Sequence, residues 1–334
     1  MLPSMAVTAA TASSISDEIR LFVRRAAVFL LIGAALYAVA YMGAEALVYR
    51  YGHRNRFFAV RSIPPSRFNY VVLGASHAAA LDYRDMNGEL ERLTGARILN
   101  LSVVGGGVTV SSLLLDYFLS RHQTSSVVYV VDSFAFYSAE WNERRLQDRR
   151  LFARAPFDPA LVALLLRSPA PPSIALDYAL GFSKINNRDR FAPDTSPDEG
   201  SRFDRQYRPV AQVDEERLAY LYPAQIDMGT FQNYLTQFEG LISAAQLRGI
   251  ELIVVKPPIP ERVRRLIPGE AQFDSTLNGV LDRHGVELHD FSGSVNDGKF
   301  FQDTDHLNRA GVLEFYQVAL APLLTRNLRH HTRI

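Results

Sequence analysis

Three short segments hold residues whose types and spacing could do chemistry together. Gly74-Ala75-Ser76-His77 sets a serine directly after an apolar run, and Asn100-Leu101-Ser102-Val103-Val104-Gly105 ends a second run in glycines. Asp303-Thr304-Asp305-His306-Leu307-Asn308 places carboxylates beside a histidine near the end of the chain. A serine hydroxyl is a poor nucleophile until a base takes its proton, and a histidine is a good base when a carboxylate fixes its tautomer. Asp303 and His306 are three residues apart, so in a tight turn the carboxylate can accept from Nδ1–H and leave Nε2 facing a nucleophile. Each segment also has a plainer reading. Ser76 fits a helix N-cap, Gly105 to Gly107 fit a strand-to-helix loop or a phosphate cradle, and the Asp303–His306 stretch fits a capping turn or a cation site. No P-loop Lys-Ser and no G-x-G-x-x-G follows. No second histidine–carboxylate cluster is evident either, so neither a metal nor a cofactor is expected.

These residues need a scaffold that brings them to one place. Apolar runs rich in β-branched residues at Tyr70–Leu73, Arg97–Leu101, Val127–Val131, Ile250–Val255 and Val286–Leu288 are too continuous for half-exposed strands, so they predict a parallel sheet covered on both faces. Helical spacing separates them, clearest at Phe231, Tyr234, Leu235, Phe238, Leu241, Ile242 and Ala245, then at Phe273, Leu277, Val280 and Leu281, and last from Val312 to Leu323 with Asn308 as N-cap. The alternation predicts an α/β doubly wound domain, whose ligands bind beyond the carboxyl ends of the strands. Ser76 and Gly105 fall at such ends. A helix starting at Ser76 would aim N–H groups and its positive dipole end at an anion formed there. From about 139 to 229, charge clusters and prolines replace strand signals, which reads as an insertion or lid with Leu161–Leu166 helical.

In order and placement the three segments resemble the SGNH (GDSL-like) hydrolase superfamily, over about residues 68 to 325. The resemblance implies a flavodoxin-like three-layer α/β/α fold with a parallel sheet. It also implies Ser76 as nucleophile, His306 as general base, Asp303 as its orienter, and the N–H groups of Ser76 and Gly105 as oxyanion donors. Asn308 and Gly311 match the family's usual continuation. Two departures stand out: the usual G-D-S reads Gly74-Ala75-Ser76, and after the third strand Val131-Asp132-Ser133-Phe134 offers no asparagine to the oxyanion. Losing such a donor costs about 3–4 kcal/mol of transition-state stabilisation. Either Ser133 or another group substitutes, or turnover is slow or specialised for transfer.

Other residues are more open. His77 could contact substrate, but a solvent-facing helix start is the expectation. Lys256 closes the fourth strand, where it attracts an anionic substrate or is simply solvated. Tyr207, Tyr220 and Tyr222 could wall a sugar site or only pack, and Trp141 has no role.

The chain is 48% apolar and 21% charged with a formal charge of +1; without a basic patch, nucleic acid is not an expected partner. It has no cysteine, which excludes disulfides and thiol chemistry. Ala26–Ala44 is uncharged over 19 residues, reaching roughly 28 Å against a hydrocarbon core of ~30 Å. The expected organisation is an N-terminal tail (1–25), a transmembrane helix (26–48), a basic tether (49–67) whose arginines sit at lipid head groups, and an SGNH-like domain (68–330). Arginines flank the span on both sides, so charge does not orient it; the chemistry suits a single-pass protein of the inner or cytoplasmic membrane facing the periplasm or cell exterior. The layout is similar to that of the D-alanyl transfer protein DltD and the alginate acetylation proteins. That resemblance implies O-acyl transfer to, or ester removal from, an envelope glycopolymer, with a multi-span membrane-bound O-acyltransferase as partner. The alternative is a catalytically weak accessory that binds the polymer or that partner.

Overall fold

Continuous apolar strands bury side chains on both faces, and the sheet here does so residue by residue. The computed structural model describes residues 6–192 and 202–331. Five strands, β1 (Arg67–Gly74), β2 (Ile98–Asn100), β3 (Gln123–Val130), β4 (Glu251–Lys256) and β5 (Leu288–Asp290), form one sheet in the order β2-β1-β3-β4-β5. All four pairings are parallel. Along β1, β3 and β4, Val71, Leu73, Val127, Tyr129, Leu252 and Val254 enter one core, together with α2 (Arg56–Ser62), α5 (Val108–Leu119) and the helices Met228–Gln246 and Glu270–Arg283. Their alternates, Tyr70, Val72, Val128, Val130, Ile253 and Val255, enter the other, under α3 (Ser76–Ala80), α4 (Met86–Thr94) and the C-terminal helices. The result is three layers, α/β/α, with the flavodoxin-like strand order.

The expected helices carry their expected faces. Phe231, Tyr234, Leu235, Phe238, Leu241, Ile242 and Ala245 are the buried residues of Met228–Gln246, and Asn308 caps the last helical run through its side chain, which accepts from Gly311 N. The fifth strand lies two residues later than the apolar run predicts. Gly285 takes a left-handed turn at φ 64° and Val286 N still bonds Leu281 O, so Val286 closes the preceding helix rather than opening the strand.

The N-terminal helix α1 runs unbroken through Ala6–Tyr51, so the expected tail is helical from residue 6. Its apolar stretch, Glu18–Tyr51, is 34 residues long and of a length and composition to cross a membrane. The segment expected as a loose tether is packed into the domain. Asn55 caps α2 by accepting from Phe57 N and Phe58 N, and Phe57, Phe58 and Val60 are buried. Two of its arginines pair with protein carboxylates rather than standing free for head groups: Arg56 with Asp82 at 2.5 Å and Arg61 with Asp158 at 3.5 Å. The stretch from 139 to 229 is largely helical where described, with Leu161 and Leu165 buried in Pro159–Arg167.

Candidate active site

β1 and β3 are neighbours whose following helices leave on opposite faces of the sheet: α3 and α4 cover one core, while Met228–Gln246 covers the other. Crevices of doubly wound sheets open at such a point, and it is there that His77, Asp132 and His306 come together. Gly74 sits at φ 139°, where any Cβ would lie 2.6 Å from Val130 O, so the backbone can turn sharply into α3 only with glycine. Ser76 opens that short helix and is buried. Asn100, at the end of β2, ties the two loops together. Its amide donates to Ala78 O at 2.8 Å, and its carbonyl accepts from Ser102 N and Ser102 Oγ. Gly105 occupies a turn closed by Gly106 N to Val103 O, at φ 68°.

The C-terminal turn is organised by Asp303. Its Oδ1 accepts from the backbone N–H of Asp305 at 3.1 Å and of His306 at 2.8 Å, and its carboxylate meets His306 Nδ1 at 3.0 and 3.1 Å. His306 is 9% exposed, and its Nε2 is buried with no hydrogen-bond partner. Ser76 Oγ therefore does not bond it here, although catalytic contacts commonly tighten only when substrate is bound. Burial alone would push the imidazole down, but the carboxylates of Asp305 and Asp303 overcome that and hold its pKa at about 9. In return, His306 and the turn's N–H groups pull Asp303 far below the usual carboxylate range, against the opposing effect of its burial.

His77 departs from expectation. It is 7% exposed rather than solvent-facing, because Asp132 at the end of β3 takes its Nδ1 at 2.6 Å. Its ring lies 4.8 Å from that of His306, tilted by 33°. Its Nε2 also lacks a hydrogen-bond partner, with Asp305 Oδ2 3.6 Å away. The site thus contains two histidine–carboxylate pairs side by side. The expected lack of a second histidine–carboxylate cluster does not hold: one donor atom each from His77, Asp305 and His306 lies within 4.8 Å of the others.

Two expected substrate contacts are engaged elsewhere. Ser133 Oγ donates to Glu270 Oε2 at 2.5 Å and shares a 2.8 Å bond with Tyr222 Oη, so its proton is not directed at an oxyanion. Lys256 is buried between Glu270 at 2.5 Å and Asp274 at 2.6 Å, so its charge is neutralised inside the protein. Lys256→Met is therefore expected to lower thermal stability, because it strands two carboxylates, while leaving KM for a neutral ester unchanged. A large rise in KM at wild-type stability would restore a substrate role. Ser133, Lys256, His77, Asp132, Tyr222 and Asp305 line a cavity of about 20 Å³, room for about one water.

The insertion reaches the site. From its helix Ala211–Leu221, Arg217 forks onto Asp305 with three contacts of 3.1–3.2 Å, and Asp214 holds Arg262, which in turn donates to Thr304 O. Trp141 acquires a role: its Nε1 donates to Leu221 O at 3.0 Å, fastening that helix to the loop after β3. Asn142, fully buried beside it, accepts from Thr109 N and donates to Ala135 O and Ser138 O. Asn142→Ala is expected to lose about 1–3 kcal/mol through these stranded backbone groups, measurable as a lower midpoint of denaturant unfolding in detergent. Of the three tyrosines, Tyr222 is bound to Ser133 and Tyr207 to Asp214, while Tyr220 is exposed beside Arg217.

No known family profile matches the chain, and no curated protein matches it. A solved structure does. It is from Streptococcus pneumonia, described as that of "a putative platelet activating factor", and aligns with 88% of this chain and 98% of its own at 13% identity and a TM-score of 0.37. A likeness that distant carries no argument for the chemistry, which rests on the geometry above.

Proposed function

We propose that this protein is a membrane-anchored serine acyl-ester enzyme of the SGNH type. In this reading Ser76 is the nucleophile, His306 its general base and Asp303 the orienter. The observation that carries it is the buried imidazole of His306, with Nδ1 held by Asp303 and Nε2 free, next to the helix that Ser76 opens. In the acylation step Nε2 takes the Ser76 proton, Oγ bonds the ester carbonyl carbon, and the alkoxide leaves with that proton. Water or a polymer hydroxyl then releases the acyl group. The N–H groups of Ser76 and Gly105 serve as oxyanion donors. The substrates we infer are acyl esters of an envelope glycopolymer, with a multi-span O-acyltransferase as donor partner and the domain outside the cytoplasm. A fluorophosphonate probe tests the nucleophile: it should label the wild type and fail on Ser76→Ala. Equal labelling of both would end this reading. Full complementation of a deletion strain by Ser76→Ala would instead support an accessory that binds without turnover.

A second reading has one observation in its favour. Histidine ligands almost always donate the ring N–H that faces away from the metal to a carboxylate, a carbonyl or water, and His77 and His306 each meet a carboxylate at Nδ1, with a donor atom of Asp305 within 4.8 Å of theirs. A divalent cation held there would polarise the ester carbonyl directly. Loss of hydrolysis on chelation, restored by zinc or manganese, would favour it over the serine mechanism.

A further inference from the structure

The insertion does not stay clear of the anchoring helix. Two of its helices, Pro172–Leu180 and Phe182–Ile185, meet at Gly181 in a tight elbow that docks on α1. Tyr37 Oη donates to Leu180 O at 2.9 Å. The Tyr41 ring lies against Gly181, where a Cβ would collide with it. Glu45 pairs with the buried Lys184 and accepts from Phe157 N at 3.2 Å. These contacts fix the height of the elbow along α1.

The membrane fixes the height of α1. Its uncharged run ends at Ala44 and begins after Arg24 and Arg25. Sliding the helix outward until Tyr37 clears the bilayer would draw Arg20, Arg24 and Arg25 into hydrocarbon. With the run itself in the membrane, Tyr37 lies seven residues inside its C-terminal end, about 10 Å deep at 1.5 Å per residue. The elbow must then enter the same leaflet, to a depth typical of interfacial helices, roughly 5–10 Å.

Its surface fits that place. Leu176 and Leu180, one helical turn apart, are 59% exposed and Phe182 is 49% exposed. Beside Phe182, Arg149, Arg150 and Arg188 line a groove of about 370 Å³, with the Arg149 guanidinium 5.9 Å from the Phe182 ring. An apolar tip rimmed by arginines matches acyl chains below lipid phosphates. The helix end at Leu180, whose carbonyl would be orphaned in lipid, is satisfied by Tyr37.

We infer that the elbow Leu176–Phe182 is inserted in the lipid leaflet beside α1, giving the protein a second membrane attachment. This goes beyond the acyl-ester reading and rests only on α1 spanning the bilayer. The chain contains no cysteine, so single labels are clean. The full chain carrying Leu180→Cys, Leu31→Cys or Leu247→Cys, each labelled with an environment-sensitive fluorophore, would be reconstituted in vesicles of phosphatidylcholine and phosphatidylglycerol containing nitroxide lipids. Leu31 stands exposed in the middle of α1 and Leu247 is 87% exposed on the domain. Quenching at position 180 several-fold above position 247, strongest with shallow nitroxides, is the expected result. Quenching at 31 alone would overturn the elbow and leave the anchor standing. Quenching at neither would overturn both.

Discussion

Ser76→Ala and His306→Ala should each reduce kcat for hydrolysis of an activated acetyl ester by about 10⁴-fold or more, and the double variant should be no worse than either. The non-additivity matters more than the size. If Ser76 attacks only when His306 takes its proton, removing either leaves only what the oxyanion donors and binding supply. A structural role for His306 would instead add its own loss. Asp303→Asn should fall in the same range, because the amide can present N–H to Nδ1 and fix the wrong tautomer. An enzyme that kept a tenth of its rate without the Ser76 hydroxyl would exclude acyl-enzyme formation there. These variants also separate the two histidines, since His77 touches Asp132 and not Asp303. His77→Ala should spare probe labelling at Ser76 while slowing turnover.

The second large effect is on pH dependence. His306 is held at a pKa of about 9, burial pushing it down and the carboxylates of Asp305 and Asp303 more than compensating. A general base must be neutral to accept a proton, so below that value most of the enzyme waits in the wrong form. The rate should rise about tenfold per pH unit and level off near pH 9, a gain on the order of 100-fold from pH 7 to 9. Asp305→Asn removes the largest raising influence and should shift the limb toward neutrality. A limb that stayed in place would show that His306 is not the titrating base. Stability runs the other way. The folded pKa lies above the reference value of 6.5, so the contribution of charged His306 is complete below about 6.5 and is lost as pH rises through about 9. Thermal midpoints in detergent should fall across that window in the wild type and less so in His306→Gln.

The doubly wound sheet was legible because burying both faces of a strand leaves a continuous apolar run, as at Val71–Leu73 and Val127–Val130, whereas the intervening helices repeat at 3.6 residues. The Asp303–His306 pair was legible because it is local: three residues in one turn. What the sequence hid lies in contacts between residues distant along the chain. His77 reads as a solvent-facing helix start until β1 and β3 become neighbours and bring Asp132 onto it, 55 residues away. Nothing in the sequence points Asp305 to its partner Arg217, which arrives from the insertion, 88 residues away. Lys256 and Ser133 read as available for substrate because Glu270 and Asp274 carry no signal of facing them. The basic stretch after α1 reads as a tether from its charge, yet its chemistry is set by the phenylalanines between the arginines. Composition registers arginines; burial is decided by Phe57 and Phe58.

That packed stretch has a further consequence. Gly52 N still bonds Val48 O, Asn55 donates to Leu151 O, and Arg154 reaches back to Tyr51 O, so no swivel lies between the anchor and the sheet. A domain on a floppy stalk sweeps a volume above the bilayer and meets any acceptor within its radius. One welded to its stem works like a fixed gauge: with α1 spanning a bilayer, Ser76 would travel laterally with the lipid but at a single elevation and a single tilt. Substrates would then be sorted by how far their ester groups stand from the membrane surface, before any pocket has inspected their chemistry.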